Sequence, residues 1–287
     1  MRRRAASWHL IAYLSAACTA STVPKPGQPV PSPSLPNPAP IPSAVGPWTF
    51  NYAAGAVAYQ ISRTARIESQ SDSGSHQEVF TNTTHELLTL ELAGDTIHFT
   101  ATIDTSLTTT QDTIGPVQSV PLPVQLSGSF IGDSLTISGD SIVEKCNPVS
   151  SVLSADLHNL LVRFPVQFSQ GSGWSDSVDL TACQGMIPTT VHIIRSYIVS
   201  GETAYQGEPV LLIQRADSIH AHGEGAQQQH RVTLDAIGTG NAIYYVTPKD
   251  GHVVRINTSQ DLELAITASG KIHRFKQSSK QEFNFVR

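Results

Sequence analysis

The chain has 287 residues, a net charge of −5, 39% hydrophobic and only 14% charged residues. That charged fraction is well below the roughly 25% of an average soluble domain; Ser, Thr, Asn and Gln supply the polarity instead, a mix that suits strands and turns. The acidic balance, without any basic and aromatic-rich patch, excludes nucleic acid as a partner class.

The N-terminus reads as an address. Arg2, Arg3 and Arg4 form a basic start, and WHLIAYLSAA (8–17) is a short, mostly apolar run ending in small residues. This is the layout of a secretory signal. The run is far short of the ~20 apolar residues of a membrane-spanning helix. Removing the segment before Cys18 leaves 15 basic against 23 acidic residues, a net of −8.

Leu14-Ser15-Ala16-Ala17-Cys18 resembles the lipobox of bacterial lipoproteins, with Ser15 where that pattern prefers an aliphatic residue. The resemblance implies cleavage after Ala17, lipid on Cys18 and a membrane as partner. Thr19 after the cysteine implies the outer membrane. An ordinary signal cut near Ala17 or Ala20, releasing a soluble periplasmic or secreted protein, is the alternative.

Ten of the eighteen prolines fall between Pro24 and Pro47. Proline fixes φ and removes a donor, so residues 18–47 are expected to be an extended, solvated tether. At ~3.1 Å per residue its reach is at most roughly 90 Å.

From Trp48 the pattern alternates. Val57, Tyr59, Ile61, Ala65 and Ile67 share one face of a strand, with Gln60, Ser62, Thr64, Arg66 and Glu68 on the other. Leu88, Leu90 and Leu92, then Ile97, Phe99, Ala101 and Ile103, repeat the alternation and predict an antiparallel meander over 48–105. Strands are predicted over 117–126 and 129–137, with Gly132-Asp133 between them. Residues 149–164 predict one helix, with Ser150, Ser151 or Ser154 as N-cap and Pro165 as its stop. Six or seven strands follow, over 189–201, 209–223, 227–238, 241–248, 251–270 and 271–286.

The predicted fold class is mainly β (α+β): a strongly curved antiparallel sheet or partly open barrel with one helix near 150–163. One domain over 48–287 is expected; similar hairpin lengths near 56–103 and 190–237 divide it into halves 48–145 and 165–287.

Two cysteines beyond Cys18 in an exported chain predict a Cys146–Cys183 disulfide. Closing a loop of this length contributes about 4 kcal/mol. His220, His222 and His230 in SIHAHGEGAQQQH are the strongest metal candidates. A hairpin tip turning at Gly223 and Gly225 explains them as well, and no metal or other cofactor is expected. GSGWSDS (171–177) lacks the G-x-S-x-G order of a nucleophile elbow and reads as a turn presenting Trp174 to the core. Asp176 and Asp179 read as solvated loop acids. No catalytic residue is assigned.

FPVQFSQGSGW, followed by Tyr197, Val199 and Gly201, resembles uncharacterised bacterial envelope families whose folds are similar to the half-open barrels of periplasmic lipoprotein and lipid carriers. The resemblance implies a non-enzymatic envelope protein with a hydrophobic small molecule or lipid in its concavity. Val57, Tyr59, Ile61, Leu88, Leu90 and Leu92 are the candidate lining, with a plain core as the alternative. A structural or protein-interaction module of the envelope is the competing function.

Overall fold

The computed structural model describes residues 46–70, 79–93, 97–111, 122–131, 134–138, 148–184, 187–227 and 230–286. Cys18, the tether and Cys146 lie outside these residues.

Among the described residues, eleven strands and one helix follow in chain order: β1 (Gly55–Gln70), β2 (Val79–Ala93), β3 (Ile97–Gln111), β4 (Val124–Ile131), β5 (Ser134–Ser138), α1 (Pro148–Leu160), β6 (Gly173–Gln184), β7 (Ile187–Tyr205), β8 (Glu208–Gln227), β9 (His230–Thr247), β10 (His252–Ala268) and β11 (Lys271–Val286). All strands form one antiparallel sheet in the order β5-β4-β3-β2-β1-β11-β10-β9-β8-β7-β6. First and last strands meet in its middle, with Ala58 opposite Val286 and Gln70 opposite Arg274. The sheet is open. Its edges are β5 and β6, and α1 packs on β6 from one side and on β4 and β3 from the other. The helix thus spans the seam that a closed barrel would not have.

Several boundaries differ from the sequence reading. Of the strand predicted over 117–126, residues 117–121 lie outside the described residues; β4 is Val124–Ile131, and its partner β5 is only Ser134–Ser138. Residues 129–131, expected in the second strand, belong to β4, the first strand of that antiparallel pair. The helix begins at Pro148, a favoured first helical residue. Ser150, Ser151 and Ser154 are therefore buried inside the helix and are not its N-cap. The segment read as a turn around Trp174 is the start of β6. The two strands expected over 227–248 are one strand, β9.

Gly223 and Gly225 do not turn the chain either; β8 runs through both. A Cβ on Gly223 would stand 2.6 Å from Thr189 Oγ1 and 2.8 Å from the Pro188 carbonyl. On Gly238, at the break expected in β9, it would stand 2.1 Å from the Asp261 carbonyl. These glycines admit the close approach of neighbouring strands on a tightly curved sheet. They mark curvature, where the sequence reads as a chain reversal.

Alternation divides the sheet into two unlike faces. The concave face carries the core: Tyr59, Ile61, Leu88, Leu90, Phe99, Ile103, Leu211, Ile213, Tyr244, Val246, Ile256 and Phe283, packed with Leu153, Leu157 and Leu160 of α1. The convex face exposes Gln60, Thr64 and Arg66 on β1, Gln214, Ser218 and His220 on β8, Asp261 and Glu263 on β10, and Lys276, Ser278 and Lys280 on β11. A membrane-spanning barrel has the reverse polarity, apolar outside and polar within.

Candidate functional site

The concave face has three zones along the strands. The first is the sealed core at the end where β8 begins. Phe50, Tyr52, Phe164 and Phe168 cap it, and Trp174 stacks on Tyr197 with ring centroids 4.8 Å apart. The cap is tied down by a bridge between Trp48 and Phe168 and by the bond from Ala53 N–H to the Gly251 carbonyl, 3.2 Å. Tyr59, Ile61, Leu88, Leu90 and Leu92 are buried here, with Val57 half-buried against them. The structure therefore brings the six candidate lining residues together, but as packed core beneath α1.

The second zone is a band of buried charge that grips the helix. Arg63 on β1 donates to both oxygens of Asp156 on α1, at 3.0 and 3.1 Å, and to Glu86 on β2 at 3.4 Å. Gln281 on β11 donates to Asp156 at 2.6 Å. Ser106 on β3 donates to Glu86 at 3.2 Å. Arg195 on β7 forms a fork with Asp176 on β6, 2.7 and 2.6 Å, and donates to the His158 carbonyl at 2.7 Å. Arg215 on β8 donates to Asn159 at 3.0 Å, to Asp217 at 2.9 Å and to the Tyr244 hydroxyl.

This grip answers a physical need. The last carbonyls of a helix have no partner within it, and the negative end of the helix dipole favours a cation. Arg195 satisfies the His158 carbonyl. The Tyr52 hydroxyl lies 2.9 Å from the carbonyls of both Leu160 and Val162 and accepts from the Val162 N–H at 2.8 Å. Burial pushes the Asp156 carboxyl up to about 6, despite the opposing pull of Arg63. Burial, together with the nearby Arg195, pushes His158 down to about 4.

The third zone lies past this band, where β7 begins and β8 ends. Strand register sets its concave residues in rows: Ile193–Ile219–Gly238–Leu262, then Val191–Ala221–Ala236–Leu264–Phe275, then Thr189–Gly223–Leu234–Ile266. Leu234, Ala236 and Leu264 are buried; Ile187, Ala221, Leu262, Ile266 and Phe275 are only partly so. They form a second apolar cluster, separate from the core and on the opposite side of the charged band from the aromatic cap. It is a curved apolar shelf.

The convex histidines are exposed and lie on other chemistry. His220 and His222 share the convex face of β8, as their spacing predicts. His222 Nδ1 lies 2.7 Å from Asp235, which holds the imidazole above its usual range. His192 Nδ1 lies 2.6 Å from Asp179. The His230 side chain is outside the described residues. Among the described residues, no three His, Cys, Asp or Glu side chains stand close enough together to hold a metal. Asp176 and Asp179 are strand residues, one gripping Arg195 and the other the partner of His192; neither is a loop acid.

The charged band was missed in the sequence, although a signal was there. Arg63 sits between Ile61 and Ala65 on the apolar phase of its strand, and Arg195, Arg215 and Asp217 sit on the inward phase of theirs. An arginine in phase with the core needs an inward partner.

Fold and site together define an open, curved antiparallel sheet with a polar exterior, an apolar concavity and a helix across its seam. No protein-family model matches the chain, and no curated protein matches it. Among solved structures, the chain is similar to Neisserial surface protein A at 10% identity, with a TM-score of 0.19 over 80% of this chain and 98% of that one. It is similar to a mutant Rh. blastica porin at 6% identity, TM-score 0.23, over 80% and 100%. It is also similar to the translocator domain of the autotransporter NalP from Neisseria meningitidis at 8% identity, TM-score 0.20, over 82% and 89%.

Proposed function

We propose that this is a non-enzymatic, exported envelope protein that holds a hydrophobic ligand, of acyl-chain type, on the far concave shelf. The observation that carries this reading is the shelf itself: partly exposed apolar rows on the inside of a curved sheet, outside the helix-sealed core. A concave, mostly apolar surface with few polar groups is the ordinary form of a small-molecule site. The six core residues near Val57 and Leu88 give way to Leu262, Leu264, Ile266 and Phe275 as the lining.

The address and tether belong to the same reading. The short apolar export run, Cys18 and the proline-rich segment 18–47 support lipid anchorage, with the domain over 48–287 standing off the outer membrane. The Cys146–Cys183 disulfide belongs to it too; Cys183 is a bonded cysteine rather than a free thiol. Intact-mass measurement of membrane-fractionated protein is expected to show acyl chains on Cys18. A mass matching the unmodified polypeptide defeats the anchor and leaves the shelf untouched.

The shelf has its own test. Organic extraction of protein purified without detergent is expected to release an apolar molecule in near-equal amount. Phe275→Gln combined with Ile266→Gln is expected to reduce that amount at least tenfold, with an unchanged β-type circular dichroism spectrum. An equal yield from the variant contradicts the reading.

One observation favours the competing module. Ile194, Ile198 and Ile237 are 47%, 49% and 57% exposed on the convex face of β7 and β9. If that face meets another envelope protein, Ile194→Asp with Ile198→Asp abolishes the contact in a cross-linking experiment and leaves the extracted ligand unchanged.

A further inference from the structure

The far shelf has two unlike ends, and they differ in charge. At its inner end stands the charged band. Its guanidinium groups, on Arg63, Arg195 and Arg215, face a larger set of carboxylates, on Glu86, Asp156, Asp176 and Asp217. The band therefore carries a surplus of negative charge above pH 7, because burial and Arg195 keep the His158 imidazole unprotonated there. Outward from the band, the inward-phase residues of β6 to β11 and of β1 whose side chains are described include no carboxylate. The titratable groups among them are Lys271 and His273, both at the outer end of β11. Register sets His273 opposite Ile266 and Lys271 opposite Ala268, so they continue the apolar rows to the rim. Both are exposed, and Lys271 makes no ion pair among the described residues. The turn before Lys271 has φ of 50° at Ser269 and 75° at Gly270, the left-handed pair that closes a tight hairpin. That turn fixes Lys271 at the mouth of the shelf.

A chain with a charged head can lie on such a surface in one favoured sense only. With its head toward the band, an anion would stand beside surplus negative charge in a partly buried place, where like charges repel more strongly than in water. With its head toward the rim, it stays hydrated next to an ammonium and an imidazole. We propose that the occupant of the shelf is a single-chain amphiphile with an anionic head, carboxylate or phosphate, held head-out at Lys271 and His273 with its tail running inward over Ile266, Phe275, Leu264 and Leu262. This assignment rests on the ligand-binding reading of the shelf and names the chemical class of that ligand. From Ala268 to Leu262 the strand rises about 20 Å at ~3.3 Å per residue, which accommodates a long acyl chain. Burial of the tail supplies most of the affinity, and the charge of the head sets direction and selectivity.

Equilibrium dialysis of the delipidated full chain at pH 7.5 reads the selectivity. The ligands are radiolabelled palmitate, hexadecyl phosphate and monopalmitoylglycerol, each below its micelle concentration. At least one of the two anions is expected to bind about tenfold more tightly than the neutral glyceride, and which one gains tells a fatty acid from a phosphate-headed lipid. Lys271→Glu with His273→Gln is expected to abolish that preference while changing glyceride binding by less than about twofold, because only the charged head meets the reversed charge. Both side chains are exposed, and an unchanged circular dichroism spectrum confirms that this variant folds. Phe275→Gln with Ile266→Gln is expected to weaken all three ligands alike. Orientation has its own readout. A diazirine at the tail end of palmitate is expected to label near Leu262, and one beside the carboxylate near Ala268. Equal affinity for anions and glyceride, a preference that survives Lys271→Glu with His273→Gln, or the reverse labelling pattern overturns the anionic head and leaves the shelf standing. Failure of all three ligands to bind overturns the shelf reading and the head assignment with it.

Discussion

Replacing Arg63 by Met is expected to destabilise the protein by about 3–5 kcal/mol, the usual cost of removing one partner from a buried ion pair. The change leaves Asp156, with 1% of its side chain exposed, and Glu86, with 5%, facing each other without their shared cation. Gln281 and Ser106 remain as donors but carry no charge. The measurement is urea unfolding followed by tryptophan fluorescence. The partner experiment separates charge from packing. Arg63→Met with Asp156→Leu and Glu86→Gln removes the whole ionic set, and it is expected to recover most of the loss. Recovery follows from the balance of terms: burying charges costs several kcal/mol per ion, so an apolar replacement of similar volume is often neutral or better. If Arg63→Met alone costs less than about 1 kcal/mol, the range of an exposed pair, the helix is not held by this band.

The second large effect is a pair of opposed pH dependences on one helix. His158 is held down to about 4 by burial and Arg195, with Asp176 pulling the other way. Its unfolded value is near 6.5. The unfolded chain therefore binds a proton that the folded protein refuses between these values, and stability falls as pH drops from 6.5 to 4. Asp156 is raised to about 6 by burial, against the lowering influence of Arg63. Here the folded protein takes up a proton that the unfolded chain does not, and stability rises as pH drops from 6 to about 4. Each shift corresponds to about 3 kcal/mol. The two nearly cancel in the parent protein. His158→Gln is expected to gain stability on acidification from pH 6.5 to 4, and Asp156→Asn to lose it. Unfolding curves at pH 6.5, 5 and 4 read both slopes. Parallel slopes in the two variants contradict the assignment.

Much of the fold was legible because period-2 alternation records burial directly. Val57 to Ile61 and Leu88 to Leu92 each point their apolar phase at one core, and the helix near 150 stood out by its leucine spacing. What was not legible came from curvature and register. Gly223 and Gly238 look like chain reversals in sequence, yet both are strand residues whose missing Cβ lets a neighbouring strand approach. Apolar phase alone does not say which end of a long strand the helix will cover. Leu88 and Leu264 look alike in sequence, but one is packed under α1 and the other lies on the shelf. The charged band is the third case. Asp176 is 19 residues from Arg195 and Asp156 is 93 from Arg63, so their pairing depends on strands and a helix that meet only in the folded sheet.

The helix also gives the open sheet its definition. An edge strand with unpaired backbone groups invites pairing with another chain unless something blunts or covers it. β5 is only five residues long, and β6 is backed by α1. Helix, charged band and aromatic cap close one end of the concavity. The rows above the band are left as the apolar surface that the proposed ligand occupies.

That assignment is tested most directly by photo-cross-linking. A fatty-acyl probe carrying a diazirine on its chain is incubated with the purified full-length protein, irradiated, and the labelled residues are located by peptide mass spectrometry. Labels are expected within 187–193, 219–223, 234–238 and 262–275, the strand segments whose inward residues form the shelf. They are expected to be displaced by excess unlabelled acyl compound. Labelling confined to the convex residues around Ile194 and Ile198, or no displaceable labelling at all, contradicts a ligand on the concave face.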